Sequence, residues 1–463
     1  MCRVKFAEAV AAMRQPGGVF RADLPIYIAR APGRLDVMGG NVDYTGGWVF
    51  ETTIREATWA AVQLRNDDSI LLVNPQMGEY GWRDSAEFRM AELTSELAVR
   101  QLVSSDPAIR WTAYVLGVFY LLRTRYGNRA TCGATVYIAS DVPLNKGVSS
   151  SAAVEVAVMK AAAAAYGIPL EGIALAEWCQ WVENTIAQSP CGIMDQATVV
   201  LGEEGYLLPL LCQPCCPAPL VRLPAELECW AIDSGVRHDV SGIQCETARA
   251  AAFMGYRMIC DWEGLPVERD DSGRIPRWRD PRWNGYLSNL TPSDFRLHYE
   301  ARLPPELSGA DFVNGGQIHV DPFTPVRGEA RYPVRAAVRY AVEENHRIRT
   351  FIELARGAVQ SEATFELMGD LMFQSHFAYT ECGLGCEATD HIVDLVRQQA
   401  GRGLYGAKIT GGGAGGTVAV LGQRGARAAF QQVADRYAEY AGSVPHVFEG
   451  SSAGADRYGV QTL

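Results

Sequence analysis

One stretch restricts the fold more than any other. CGATVYIAS (132–140) reads as a strand, Pro143–Gly147 as a loop, and the serines that follow lead into an alanine-rich helix. The small alanines permit close approach to a sheet. The helical run AVEVAVMKAAAAAYG carries Glu155 and Lys160 and falls short of a membrane span. Strand, polar glycine loop and helix in immediate succession place free backbone amides at the helix start, where phosphate oxygens can bind. Gly147 permits close approach or unusual dihedrals. The hydroxyls of Ser149, Ser150 and Ser151 can donate to phosphate or face a magnesium ion. Lys146 adds a compact positive charge. The run lacks the GxxxxGK[ST] order of a Walker loop, and a serine run before a helix is more often a plain cap.

The rest of the chain mixes strands and helices, an α+β pattern. LPIYIARAPGRLDVMGG, WVFETTI, TWAAVQLRN and SILLVN read as a β-rich region. TAYVLGVFYLLRTRYG, LEGIALAEWCQWVENTIAQ, VRAAVRYAVEENHRIRTFIELARGAV and FELMGDLMFQSHFAYT read as helices. Residues 1–24 form an N-terminal extension, 25–230 a first domain and 231–463 a second. Residues 262–330, rich in Pro, Gly, Asp and Trp, read as a partly ordered insertion. A length of 463 residues suits two or three domains.

Composition narrows the function classes. A net charge of -11 argues against nucleic-acid binding, although a local basic pocket could still hold phosphate. The start MCRVKFAEAV lacks the apolar region of a signal peptide, and the 12 scattered cysteines suit a reduced, cytoplasmic protein. Cys212 and Cys215 have CxxC spacing, but no second pair or nearby histidine completes a zinc site.

Two further features bear on chemistry. Lys408–Gly416 holds five glycines within six residues, which suits a tight hairpin or a ligand-facing loop. Asp43, Glu183 and Asp195 lie near glycine or helix-end signals. A phosphoryl-transfer site needs one carboxylate to orient or deprotonate a hydroxyl and another to hold magnesium. Arg34 could steady a neighbouring aspartate and the transition-state charge. On residue type alone, each carboxylate is more often a solvated surface group or a cap.

Taken together and in order, these segments resemble the GHMP small-molecule kinases, in the branch of galactokinase and L-arabinokinase. ARAPGRLDVMGGNVDYTGG (29–47), VPLNKGVSSSAAVEVA (142–157) and KITGGGAGGTVAVLG (408–422) look like the three family motifs. VENTIAQSPCGIMDQ and AIDSGVRHDVSG resemble intervening galactokinase-like segments. The resemblance implies a two-lobed α+β fold with the active site in the cleft between lobes. It implies transfer of the γ-phosphoryl of ATP, with Mg2+, to the anomeric hydroxyl of a sugar.

By that resemblance Arg34 and Asp195 are catalytic, with Asp195 abstracting the anomeric proton or orienting the hydroxyl. Asn145, Lys146, Gly147, Val148, Ser149, Ser150 and Ser151 hold ATP. Ser151 and Glu183 face magnesium. Asp43 and Gly192 contact the sugar, and Gly411 to Gly413 close over the site. Where galactokinases carry Glu-His, directed at the C6 end of galactose, this chain has Gly40-Asn41. Where both comparison groups carry a sugar-contacting tyrosine, it has Cys245. The first departure favours L-arabinose over D-galactose; the second leaves another sugar open. A non-catalytic sugar and ATP sensor is the alternative of a different class. Nothing in the sequence identifies a protein partner.

Overall fold

The computed structural model describes residues 3–236, 242–316, 318–358 and 360–463. Strands β1 (Tyr27–Met38), β2 (Trp48–Leu64), β3 (Ser69–Val73), β4 (Ser85–Arg89), β5 (Ala134–Ser140), β6 (Leu207–Leu211) and β7 (Cys216–Pro217) build one sheet. A second, antiparallel sheet holds β8 (Leu227–Asp233), β9 (Leu404–Ile409), β10 (Thr417–Gln423) and β11 (Val447–Glu449), in the order β9-β10-β8-β11. The last strand, β12 (Val460–Thr462), returns to the first sheet, whose order is β12-β1-β2-β5-β3-β4 with β6 branching from β2. So β8 straddles the 230/231 boundary expected from sequence, and the C-terminal strand lies with the first lobe.

WVFETTI and TWAAVQLRN form one continuous strand. The linking residues Arg55, Glu56 and Ala57 contain no turn former, and β2 instead changes partners along its length. Trp48–Thr52 pairs with β6, and Thr58–Leu64 pairs with β5. Strand β1 runs through Gly33 with a register shift between Pro32 and Arg34, as a bulge beside a functional residue does.

The alanine-rich helix, Ser150–Ala165, packs across β1 and β2 with Ala152, Ala153, Ala157 and Ala161 fully buried. At the other end, Phe6 of helix Arg3–Ala12 stacks on Trp59 and Tyr137 at 5.4 and 5.6 Å. The N-terminal extension is therefore docked on the first sheet.

The region 262–330 departs from expectation. Trp283, Leu287, Leu290, Phe295 and Tyr299 are buried against helices Ile243–Trp262 and Val334–Arg356, forming a second core. Asp280 organises the entry: its carboxylate accepts from the amides of Arg282 (2.9 Å), Trp283 (2.6 Å) and Gly285 (2.7 Å) and from the Tyr256 hydroxyl. Such an Asx turn fixes the entry to a Pro/Gly/Asp-rich segment whose strands and helices are short. No helix among the described residues is long and apolar enough to cross a membrane. The described cysteines are free thiols.

Candidate active site

The second motif forms the turn that the sequence marks for phosphate. Asn145, Gly147 and Ser149 adopt φ of 58°, 71° and 60°, left-handed conformations that curl the backbone amides into a concavity. Ser150 and Ser151 open the alanine-rich helix, whose first amides have no side-chain cap. The Ser149 hydroxyl is buried and has no hydrogen-bond partner among the described residues. Val148 is buried, and its carbonyl accepts from the Arg34 amide at 3.1 Å. Gly33 makes that contact possible, because a Cβ there would lie 2.6 Å from the Val148 carbonyl oxygen. Lys146 Nζ pairs with Asp233 at 3.1 Å.

Arg34 joins this turn to Asp195. Its Nη1 donates to the Gly147 carbonyl at 2.6 Å, Nε donates to Asp195 Oδ1 at 2.9 Å, and Nη2 lies 2.8 Å from the same oxygen. Glu51 Oε2 lies 3.4 Å from Arg34 Nε. The guanidinium is buried, whereas the Asp195 side chain keeps 20% of its surface exposed at the start of helix Met194–Leu201. Both Arg34 contacts use Oδ1.

Behind Asp195 lies a carboxylate cluster. A π turn at Glu183–Ala187 follows helix Gly172–Val182 and aims Glu183 inward. Gln196 Nε2 donates to Glu183 at 2.6 Å and to Glu155 at 3.3 Å. Burial, and then the charge of Asp195, pushes the Glu183 carboxyl up to about 7, with the Ser151 hydroxyl opposing that shift. Burial and Glu183 push Glu155 well above the usual range. Glu155 lies one turn after Ser151 on the same helix face, a spacing that could have found it.

Asp43 and Gly192 meet directly. A Cβ on Gly192 would overlap the Asp43 carboxylate. The amides of Tyr44 and Met194 donate to Asp43 at 2.9 and 3.3 Å. Burial, followed by Asp195, raises the Asp43 carboxyl to about 6.

Positions 40, 41 and 245 meet the third-motif loop. A Cβ on Gly40 would overlap the Tyr379 hydroxyl and lie 2.5 Å from Asp36 Oδ2. Asn41 Nδ2 donates to the Gly412 carbonyl at 3.1 Å and to Tyr379 Oη at 3.3 Å. Cys245 Sγ donates to the same Gly412 carbonyl at 2.8 Å, and Tyr379 Oη to Gly411 at 2.7 Å. These side chains hold the third-motif loop, which turns between β9 and β10. That loop is both a hairpin and a neighbour of the phosphate turn: Cβ atoms on Gly411 and Gly147 would lie 2.7 Å from the Gly147 and 2.9 Å from the Thr410 carbonyl oxygens. Residues 237–241, in the AIDSGVRHDVSG segment, lie outside the described residues.

Three sequence profiles match the chain: GHMP kinases N terminal domain at 113–203, galactokinase galactose-binding signature at 18–64 and GHMP kinases C terminal at 340–439. The galactokinase of Chloroflexus aurantiacus is 31% identical over 86% of this chain and 84% of its own length. The chain belongs to the GHMP kinase family. Within that family the L-arabinokinase of Arabidopsis thaliana is 37% identical over 98% of this chain, which spans only 48% of that relative. Membership of the galactokinase and L-arabinokinase branch makes this GHMP kinase an ATP-dependent sugar kinase. The crystal structure of Lactococcus lactis galactokinase complexed with galactose shares the fold, with a TM-score of 0.74 over 99% of each chain at 20% identity. A mevalonate kinase shares it at 0.54, over 92% of this chain and 99% of its own, at 15% identity.

Several side chains of this GHMP kinase site carry no local signal in the sequence. Asp36 and Lys408 pair at 2.7 Å where the first and third motifs touch, both fully buried. Glu51, Gln196 and Tyr379 come from ordinary strand or helix positions, and only the packed fold brings them to the site.

Proposed function

We propose that this kinase transfers the γ-phosphoryl group of ATP to the anomeric hydroxyl of L-arabinose, giving β-L-arabinose 1-phosphate and ADP. The observation that carries the proposal is Arg34, whose guanidinium spans from the phosphate turn at Gly147 to Asp195 Oδ1. A bond forms between the anomeric oxygen and the γ-phosphorus while the bond to the bridging oxygen of ADP breaks. Asp195 receives the hydroxyl hydrogen on its carboxylate, and Arg34 faces the charge that develops on the transferring group. The backbone amides of residues 145–151 hold the nucleotide phosphates. Asp43 and the Gly192 backbone hold ring hydroxyls.

Ser151 and Glu183 supply a hydroxyl and a carboxylate, hard oxygen donors that fit Mg2+. A cation beside Glu183 would also relieve the crowding of acidic groups that raises its pKa. When bound with ATP, the ion neutralises phosphate charge. No group of three or more His, Cys, Asp or Glu placed to hold a metal occurs among the described residues.

L-arabinose is favoured over D-galactose by the Arabidopsis relative and by position 40, where Tyr379 leaves no room for a carboxylate. D-galactose is the second reading, supported by the galactose-binding signature over residues 18–64. ADP release from Mg-ATP, measured with each sugar in turn, tests both. A higher kcat/KM for D-galactose would displace L-arabinose, and no sugar-dependent release across a panel of sugars would remove the proposal.

A further inference from the structure

A cavity of about 110 Å3 opens beside Asp43 and Gly192, and half of its wall comes from residues 275–323. Arg249 lines it from helix Ile243–Trp262, one turn beyond Cys245. Its guanidinium lies among the rings of Tyr44, Phe323 and Phe253, with centroids at 4.9, 5.6 and 5.9 Å. Asp321, from the 262–330 region, grips two of its nitrogens: Nε donates to Oδ2 at 2.8 Å and Nη2 to Oδ1 at 2.9 Å. Asp321 is itself fixed by the Thr324 amide and hydroxyl at 3.2 and 2.5 Å. The fork is therefore rigid and wholly committed on one side.

The remaining nitrogen is the informative one. Arg249 is only 5% exposed, and its Nη1 has no hydrogen-bond acceptor among the described residues. A buried donor without an acceptor costs about 1–3 kcal/mol, more for a charged group. Buried donors of this kind are rare unless a ligand completes them. A charged fork could have been satisfied by one further protein oxygen; here Arg249 lines a cavity that the acceptor Asp43 also lines.

The geometry points to Arg249 as a sugar-binding residue, whose Nη1 donates to a hydroxyl or ring oxygen of the acceptor sugar in the cavity beside Asp43. Asp321 and the three rings act as positioning residues. The 262–330 region thus supplies part of the sugar site, with a donor from Arg249 set beside the acceptor from Asp43. Hydroxyls, which both donate and accept, match that pair. The inference rests on the sugar-kinase reading and adds a residue at its acceptor end.

The test begins with wild-type turnover of L-arabinose and D-galactose. No turnover of either removes the function proposal and this inference together. Given turnover, the double variant Arg249→Gln with Asp321→Asn leaves no lone buried charge. Its sugar KM is expected to rise roughly ten- to a hundredfold, while its ATP KM changes little. An unchanged sugar KM in the folded variant overturns the inference and leaves the kinase reading standing. If the variant does not fold, a crystal structure of the wild type with the sugar it turns over decides. A sugar oxygen within about 3.2 Å of Arg249 Nη1 upholds the assignment, and none within that distance overturns it.

Discussion

Asp43 is a carboxylate kept at its ordinary place only with difficulty. Burial and the nearby Asp195 hold its folded pKa at about 6, against an ordinary value of 3.8. A raised carboxyl favours the protonated form, so its contribution to stability is full below the ordinary value and is lost as pH rises through about 6. Asp43→Asn is therefore expected to stabilise the ligand-free protein at pH 8 relative to its effect at pH 4, by at most about 3 kcal/mol. Urea unfolding of both proteins across that range checks it; a pH-independent difference would show that the group titrates normally. Gly192 limits the same carboxylate from the other side. Gly192→Ala should displace Asp43 and raise the sugar KM well above that of the wild type, with a smaller effect on ATP. At the other end of the acceptor, Asp195→Asn keeps the shape but not the charge that Arg34 faces. A fall in kcat of roughly 100-fold or more is expected if Asp195 takes the proton, and a much smaller one if it only orients the hydroxyl. Steady-state kinetics at saturating sugar separates the two.

Among elements, the hairpin loop between β9 and β10 and the phosphate turn are built as one piece. Thr417 Oγ1 donates to the Lys146 carbonyl at 2.7 Å, and Gly411, at φ 69°, lies where a Cβ would press on Gly147. Tyr379, Asn41 and Cys245 hold the loop's outer carbonyls. Tyr379→Phe removes one of these anchors, with an expected stability loss of about 1 kcal/mol and faster amide exchange over residues 410–416. Unaltered exchange there would mean that the other two anchors suffice. The same loop marks where the sequence was readable. The strand, turn and helix of the second motif follow from local pattern, as do helices Val334–Arg356 and Glu362–Glu381. At Gly40 the sequence displays an absent side chain, but the hydroxyl that fills its space comes from Tyr379, 339 positions away. The order within 262–330 was hidden because Asp280 and Asp321 act through side-chain bonds to turns and to Arg249, which leave no periodicity.

The two larger sheets meet through a buried charge pair. Lys408 on β9 and Asp36 on β1 are 2.7 Å apart and fully buried, and the Asp36 amide also donates to Thr410 Oγ1 at 2.9 Å. A pair of this kind adds little compared with apolar residues of the same volume, but breaking it strands one charge in a low dielectric. Lys408→Met alone is thus expected to cost about 3–5 kcal/mol. Lys408→Met combined with Asp36→Leu should recover much of that loss, because no charge remains unpaired. Denaturant unfolding of the two single variants and the double variant gives the coupling directly. Activity then separates stability from function: a double variant that folds well yet loses turnover would show that the pair sets the relation of the first motif to the third. Retained turnover would show that packing alone sets it. The first outcome is favoured by the neighbourhood, since Asp36 lies against Gly40 and Tyr379, and Lys408 Nζ lies 5.4 Å from the Tyr379 ring centroid. Moving either partner disturbs the anchor of the loop that meets the phosphate turn, so the pair joins the fold to the site.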